Sequence, residues 1–213
     1  MTKTKNREGG NMEKIKQELI MAFNSTDSWF NKPAEITTYK PATGWSIRQV
    51  LEHVVLTNHY LLLLIVKGKK LALKKSAGAE AAVFPKDYDT TLEKLKVIGE
   101  HGSFEWMRPA HMEPAGTFAP MEVRLLLQYQ MAKCLAILRD LPHGEGLFHT
   151  TTMSVNALGK LDVYQYIYFL AMHMKRHNTQ MERLESLYFE GLANIPGKIT
   201  SVSNSSLSSD IIT

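Results

Sequence analysis

A chain of 213 residues with 44% hydrophobic and 22% charged residues has the make-up of a globular domain with a sizeable core, and nothing in the composition requires a second domain. The formal charge of +4 is mild, and a single cysteine excludes an intramolecular disulfide. No apolar leader stands at the N-terminus, and the longest unbroken apolar run, LLLLIV at 61–66, is far too short to span a bilayer. A cytoplasmic setting without a membrane partner is the expectation.

Residues 1–11, MTKTKNREGGN, are polar with a glycine pair and read as a flexible leader; Met12 is an alternative start. Helical periodicity begins there and runs from about Met12 to Phe30, with Ile15, Leu19, Ala22 and Phe23 on one face. A second helix is predicted from Ser46, a suitable N-cap, to Lys67. Lys67, Lys69, Lys70, Lys74 and Lys75 follow in KGKKLALKK, where most of the positive excess sits. That run reads as a nucleic-acid or anionic-membrane patch, or as a solvated helix end. With no aromatic residues interleaved, the second reading is favoured and no nucleic-acid partner is expected.

A short helix is expected around Thr90–Glu100. Pro120, a good first helical residue, opens a third long helix that carries Leu127, Met131, Cys134 and Leu138 to about Leu141. The fourth spans about Leu161–Glu190, with Gly191 as a stop signal. Two long loops rich in Gly, Pro and His, 102–119 and 142–160, are placed to cover one end. Beyond them, 193–213 is a Ser-rich flexible tail. No sustained period-two alternation appears, so residues 12–192 are expected to form an all-α four-helix bundle.

The fourth helix holds AMHMKRHNTQMERL at 171–184. At about 100° per residue, His177 lies about 40° from His173 and Gln180 about 20° to the other side. Tyr166, Phe169, Leu170, Leu184 and Leu187 share that line, while Lys175, Asn178, Glu182 and Glu185 fall opposite. Both histidines therefore sit on the core-facing stripe. Side chains four apart on a helix are close enough for two imidazoles to meet one ion, but histidines satisfied by backbone or tyrosine partners explain burial equally well. A third imidazole, His53, stands in WSIRQVLEHVVLTNHYLL on the second helix, at the flank of the face made by Ile47, Leu51, Val54 and Ile65. His59, six residues on, points elsewhere and reads as exposed.

TGWSIRQVLEHV and LGKLDVYQYIYFLAMHMKRHNTQMERL together resemble the DinB-like superfamily of metal-binding four-helix bundles. Its pattern has a helix led by Trp-Ser that carries one His, and a last helix with H-x3-H followed by Gln. The resemblance implies that His53, His173 and His177 hold a divalent metal ion: zinc or nickel first, iron or manganese as further candidates. Three histidines leave coordination positions for water or substrate, an arrangement suited to catalysis. It further implies thiol S-transferase-like or hydrolase-like chemistry on a small-molecule substrate, with a low-molecular-weight thiol as a candidate co-substrate. The alternative is a non-catalytic metal- or ligand-binding bundle. A homodimer, formed through the apolar surface of LLLLIVKGKKLAL, is a further expectation.

Gln180, Tyr166, Thr57 and Glu52 are within helical reach as acceptors for the imidazole N–H groups. HMKRH contains no carboxylate, which argues against a His-Glu-x-x-His site, and no general base or catalytic residue is assigned. Cys134 lies on an apolar stripe and reads as packing. Trp29, Phe30 and Trp45 are expected to anchor helix ends, and Trp106 to cover the pocket. One of His101, His111, His143 and His149 is expected at its mouth.

Overall fold

The computed structural model describes residues 2–80, 82–105 and 109–194, with backbone alone over residues 2–9. In chain order it comprises α1 (Thr2–Ser28), α2 (Ala34–Thr38), α3 (Ile47–Ser76), α4 (Tyr88–Leu95), α5 (Pro120–Arg139), a hairpin of β1 (Thr150–Met153) and β2 (Gly159–Asp162), and α6 (Val163–Ala193). Trp106 and the tail from 195 onward lie outside the described residues.

Contacts along the four long helices fix their directions. Thr26 donates to the Asn178 side chain at 3.0 Å and Lys32 meets Glu185 at 2.6 Å, so α1 and α6 run parallel. His53 faces His173 and His177 while Gly68 approaches Val163, so α3 and α6 are antiparallel. Gln130 donates to the Val55 carbonyl at 2.9 Å and Lys69 pairs with Asp140, which makes α3 and α5 parallel. Asp27 at the end of α1 holds Arg124 near the start of α5 through two bonds, 2.9 and 2.6 Å. The bundle is therefore a ring in the order α1, α6, α3, α5.

That ring explains the uneven connections. Parallel α3 and α5 need a crossover the length of the bundle, and α4 is built into it. Since α5 and α6 sit diagonally, the chain between them crosses one end as the hairpin. Its short β-branched run TTT pairs antiparallel with GKLD, Thr151 opposite Leu161. Four residues per strand are too few for an alternation signal, so this hairpin is not legible in the sequence.

Helix starts follow their caps. Ser46 accepts from Gln49 N while the Gln49 side chain accepts from Ser46 N, and Asp162 and Gln165 repeat this box at α6. Several ends differ from expectation. α1 begins at Thr2, ten residues upstream of Met12, and α3 continues nine residues past Lys67 to Ser76. α3 runs on through Gly68, where it packs closely: a Cβ would stand 3.3 Å from Val163 Cγ2. α6 passes through Gly191 to Ala193.

Burial also corrects two positions of the α6 stripe. Asn178, expected toward solvent, is 4% exposed and donates to the Ala22 carbonyl, because α1 covers that face. Leu187, expected in the core, is 45% exposed. Residues 163–174 of α6 are buried all round, flanked by α1, α3 and α4. α3 contains an 18-residue stretch of mean hydropathy 1.4, apolar and long enough to cross a membrane, yet 61% of it is buried by the bundle.

Candidate metal centre

His53, His173 and His177 converge between α3 and α6. All three are buried, and one ring nitrogen from each lies within 4.8 Å of the others. His173 and His177 bring their Nε2 atoms to 3.1 Å, and their ring centroids are 4.5 Å apart. The His53 ring lies 5.5 Å from the first and 4.8 Å from the second. An ion about 2.0–2.1 Å from each nitrogen of a tetrahedron separates its donors by about 3.3 Å. The cluster is close to that geometry, and one pair already has it.

Hydrogen bonds decide which nitrogens are available. His53 Nδ1 stands 2.7 Å from the Met112 carbonyl, which can only accept, so the proton is on Nδ1 and Nε2 presents a lone pair. His177 Nδ1 donates to Gln180 Oε1 at 2.7 Å, again leaving Nε2 as the lone-pair atom. Thr57 Oγ1 lies 3.5 Å from His53 Nε2. Burial, together with the neighbouring imidazoles, holds His173 well below the ordinary histidine range and pulls His177 down to about 3. His173 and His177 are thus neutral near pH 7, the form that ligates metal.

Of the acceptors reached from the sequence, Gln180 serves His177 and Thr57 adjoins His53. Tyr166 instead donates to the Thr152 carbonyl, fixing the hairpin. Glu52 accepts from Ala115 N and Gly116 N at 3.0 and 2.8 Å, pinning the 109–119 segment onto α3. Met112 itself carries no sequence signal, since a backbone carbonyl has none; only folding of that segment places it.

The triad opens into a cavity of about 430 Å³ lined by residues that include Trp45, Tyr60, Leu61, Met153, Phe169 and Arg176. Trp45 does not merely anchor a helix end: its ring lies 4.9 Å from that of His53. Trp29 is buried and Phe30 partly so, as expected. His101 is the loop histidine at the cavity wall, bonded to Arg183 at 2.7 Å. His111 stacks on Tyr60, while His149 meets Lys75 far along α3. His59 is exposed. Cys134 is fully buried on α5 and its thiol is pushed up to about 12, so it packs and does not react.

A family model described as the DinB superfamily matches residues 7–181. No curated protein and no solved structure matches the chain.

Proposed function

The chain belongs to the DinB superfamily, and on that premise we propose that it holds a divalent ion on His53, His173 and His177 and acts as a metal-dependent enzyme on a small molecule. The observation that carries this is the pair of outward hydrogen bonds, from His53 to Met112 and from His177 to Gln180, which leave two Nε2 lone pairs facing a third imidazole. Three imidazole nitrogens suit zinc or nickel. The ion, when bound, supplies Lewis acidity that stabilises a thiolate or hydroxide and polarises a carbonyl.

The protein's own part is to keep His173 and His177 neutral, orient the rings and leave one side open. Among the described residues the cavity lining includes no Asp or Glu. A water bound as hydroxide and a thiol bound as thiolate each release a proton, but the thiol starts from a pKa of about 8.5 against about 15.7 for water and needs less help from a base. That favours thiol S-transfer over hydrolysis. A cytoplasmic, reducing setting fits this chemistry, and a low-molecular-weight thiol is the co-substrate we propose.

Metal analysis of untagged wild type against His173→Ala tests the reading. Stoichiometric zinc or nickel in the first and loss in the second is expected; no bound ion in wild type would sink it. Conjugation assays with electrophiles and small thiols then test catalysis. Metal without turnover would leave a binding bundle.

A further inference from the structure

α3 carries a second feature that the metal centre does not use. Leu63, Lys67, Lys70 and Lys74 follow at intervals of four, three and four residues, which sets them on one stripe about 60° wide. That stripe points away from the bundle. Its earlier part is covered by the crossover, where His111 meets the Tyr60 ring and Glu52 takes the Ala115 and Gly116 N–H groups. From Leu63 onward it is exposed. Lys69, turned toward α5, is paired with Asp140, whereas Lys67, Lys70, Lys74 and Lys75 form no ion pair among the described residues. His149 stands at the edge of this group, 3.4 Å from Lys75, and burial followed by Lys75 and Lys67 holds it below the ordinary histidine range.

Four unpaired ammonium groups spread over about 12 Å of helix are too far apart for one small anion. No arginine or aromatic residue is interleaved in KGKKLALKK, so the forked and stacking contacts of nucleic-acid recognition are missing. What accompanies the lysines is apolar: Leu63 is 55% exposed and Leu64 37%. Lysine stems lie along apolar surface while their heads reach anionic groups, and exposed leucines enter the boundary between headgroups and acyl chains. We propose that this half of the outer face of α3 docks on an anionic lipid surface, with Lys67, Lys70, Lys74 and Lys75 on the headgroups and Leu63 and Leu64 in the interface. The lack of a spanning run, on which the expectation of no membrane partner rests, does not bear on this, because a peripheral contact needs none. Leu64 also lines the cavity, so docking holds that cavity beside the lipid. The proposal depends neither on a bound ion nor on the activity proposed above.

The test is flotation of the full chain with vesicles of phosphatidylcholine alone and of phosphatidylcholine and phosphatidylserine in equal parts. Binding to the mixed vesicles is expected to be at least about tenfold tighter and to weaken as salt rises. The triple reversal Lys67→Glu, Lys70→Glu and Lys74→Glu should abolish it with circular dichroism unchanged. The same charge change at Lys40, Lys94 and Lys133, exposed elsewhere, should leave most of it. Leu63→Ser should weaken it about threefold or more. Equal binding to the two vesicle types overturns the proposal, as do binding to neither and binding that survives the triple reversal. So does a control reversal that is equally damaging, since net charge alone is then responsible, or a Leu63→Ser variant that binds like wild type. Duplex DNA held more tightly than the mixed vesicles overturns it in favour of nucleic acid. Displacement by inorganic phosphate beyond its ionic-strength effect overturns it in favour of a small anion.

Discussion

His177 gives its Nδ1 proton to Gln180, and that one bond sets which nitrogen faces the cluster. Gln180→Leu leaves the fold intact but frees the ring to turn or change tautomer. A competition titration with a chelator is expected to show metal affinity about 10–100-fold weaker. The same imidazoles govern acid stability of the metal-free protein. His177 falls to about 3 in the fold against an ordinary 6.5, and His173 is lowered as well, so the unfolded chain binds more protons below 6.5. Stability is therefore lost as pH drops from 6.5 toward 3. Asp162 works in the opposite sense: burial lifts its carboxyl to about 6, so the fold holds that proton more tightly between 4 and 6. Asp162→Asn keeps an N-cap residue while removing this compensation. Urea unfolding across pH 4–7 should show a steeper acid loss in the variant, and an unchanged slope would refute the assignment.

At the scale of elements, the strap over the site is tied by a residue outside it. Glu52 is 3% exposed and accepts two backbone N–H groups from Ala115 and Gly116, three and four residues beyond the carbonyl that orients His53. Glu52→Ala strands both donors, so unfolding free energy should drop by about 2–3 kcal/mol and metal content should fall too. Retention of full metal affinity would show that Met112 is held by other means. Packing at the opposite side of the crossover is equally specific. A Cβ on Gly146 would lie 2.6 Å from the Tyr164 ring, and Tyr164 is fully buried with its hydroxyl donating to the Leu141 carbonyl at 2.6 Å. Gly146→Ala is expected to cost about 1–3 kcal/mol by overpacking, read as a lower denaturation midpoint.

For the whole molecule, an ion that binds only the folded state stabilises it by mass action. At 100 times the dissociation constant this amounts to about 2.7 kcal/mol. For a domain of this size each kcal/mol moves Tm by about 2–4 °C, so chelation should lower Tm by about 5–10 °C in wild type. His173→Ala should show no chelator effect; an equal shift in the variant would place the ion elsewhere.

The number and rough extent of the long helices were legible in the sequence, because apolar residues at helical spacing and the Ser46 and Pro120 start signals are local. The three histidines were legible one segment at a time, as H-x3-H on a buried stripe and one His inside an apolar run; that the two segments belong together was implied only by the family resemblance, and their convergence appears in the fold. Helix ends such as Ser76 were not legible: α3 runs on through Gly68, where it packs against Val163, a neighbour 95 positions away. The same holds for the Met112 carbonyl behind His53, the burial of Asn178 beneath α1 and the placing of Arg176 in the cavity. Periodicity records which face of an element avoids water; it does not record which other element covers that face. Only packing α3, α6 and the crossover together decided that.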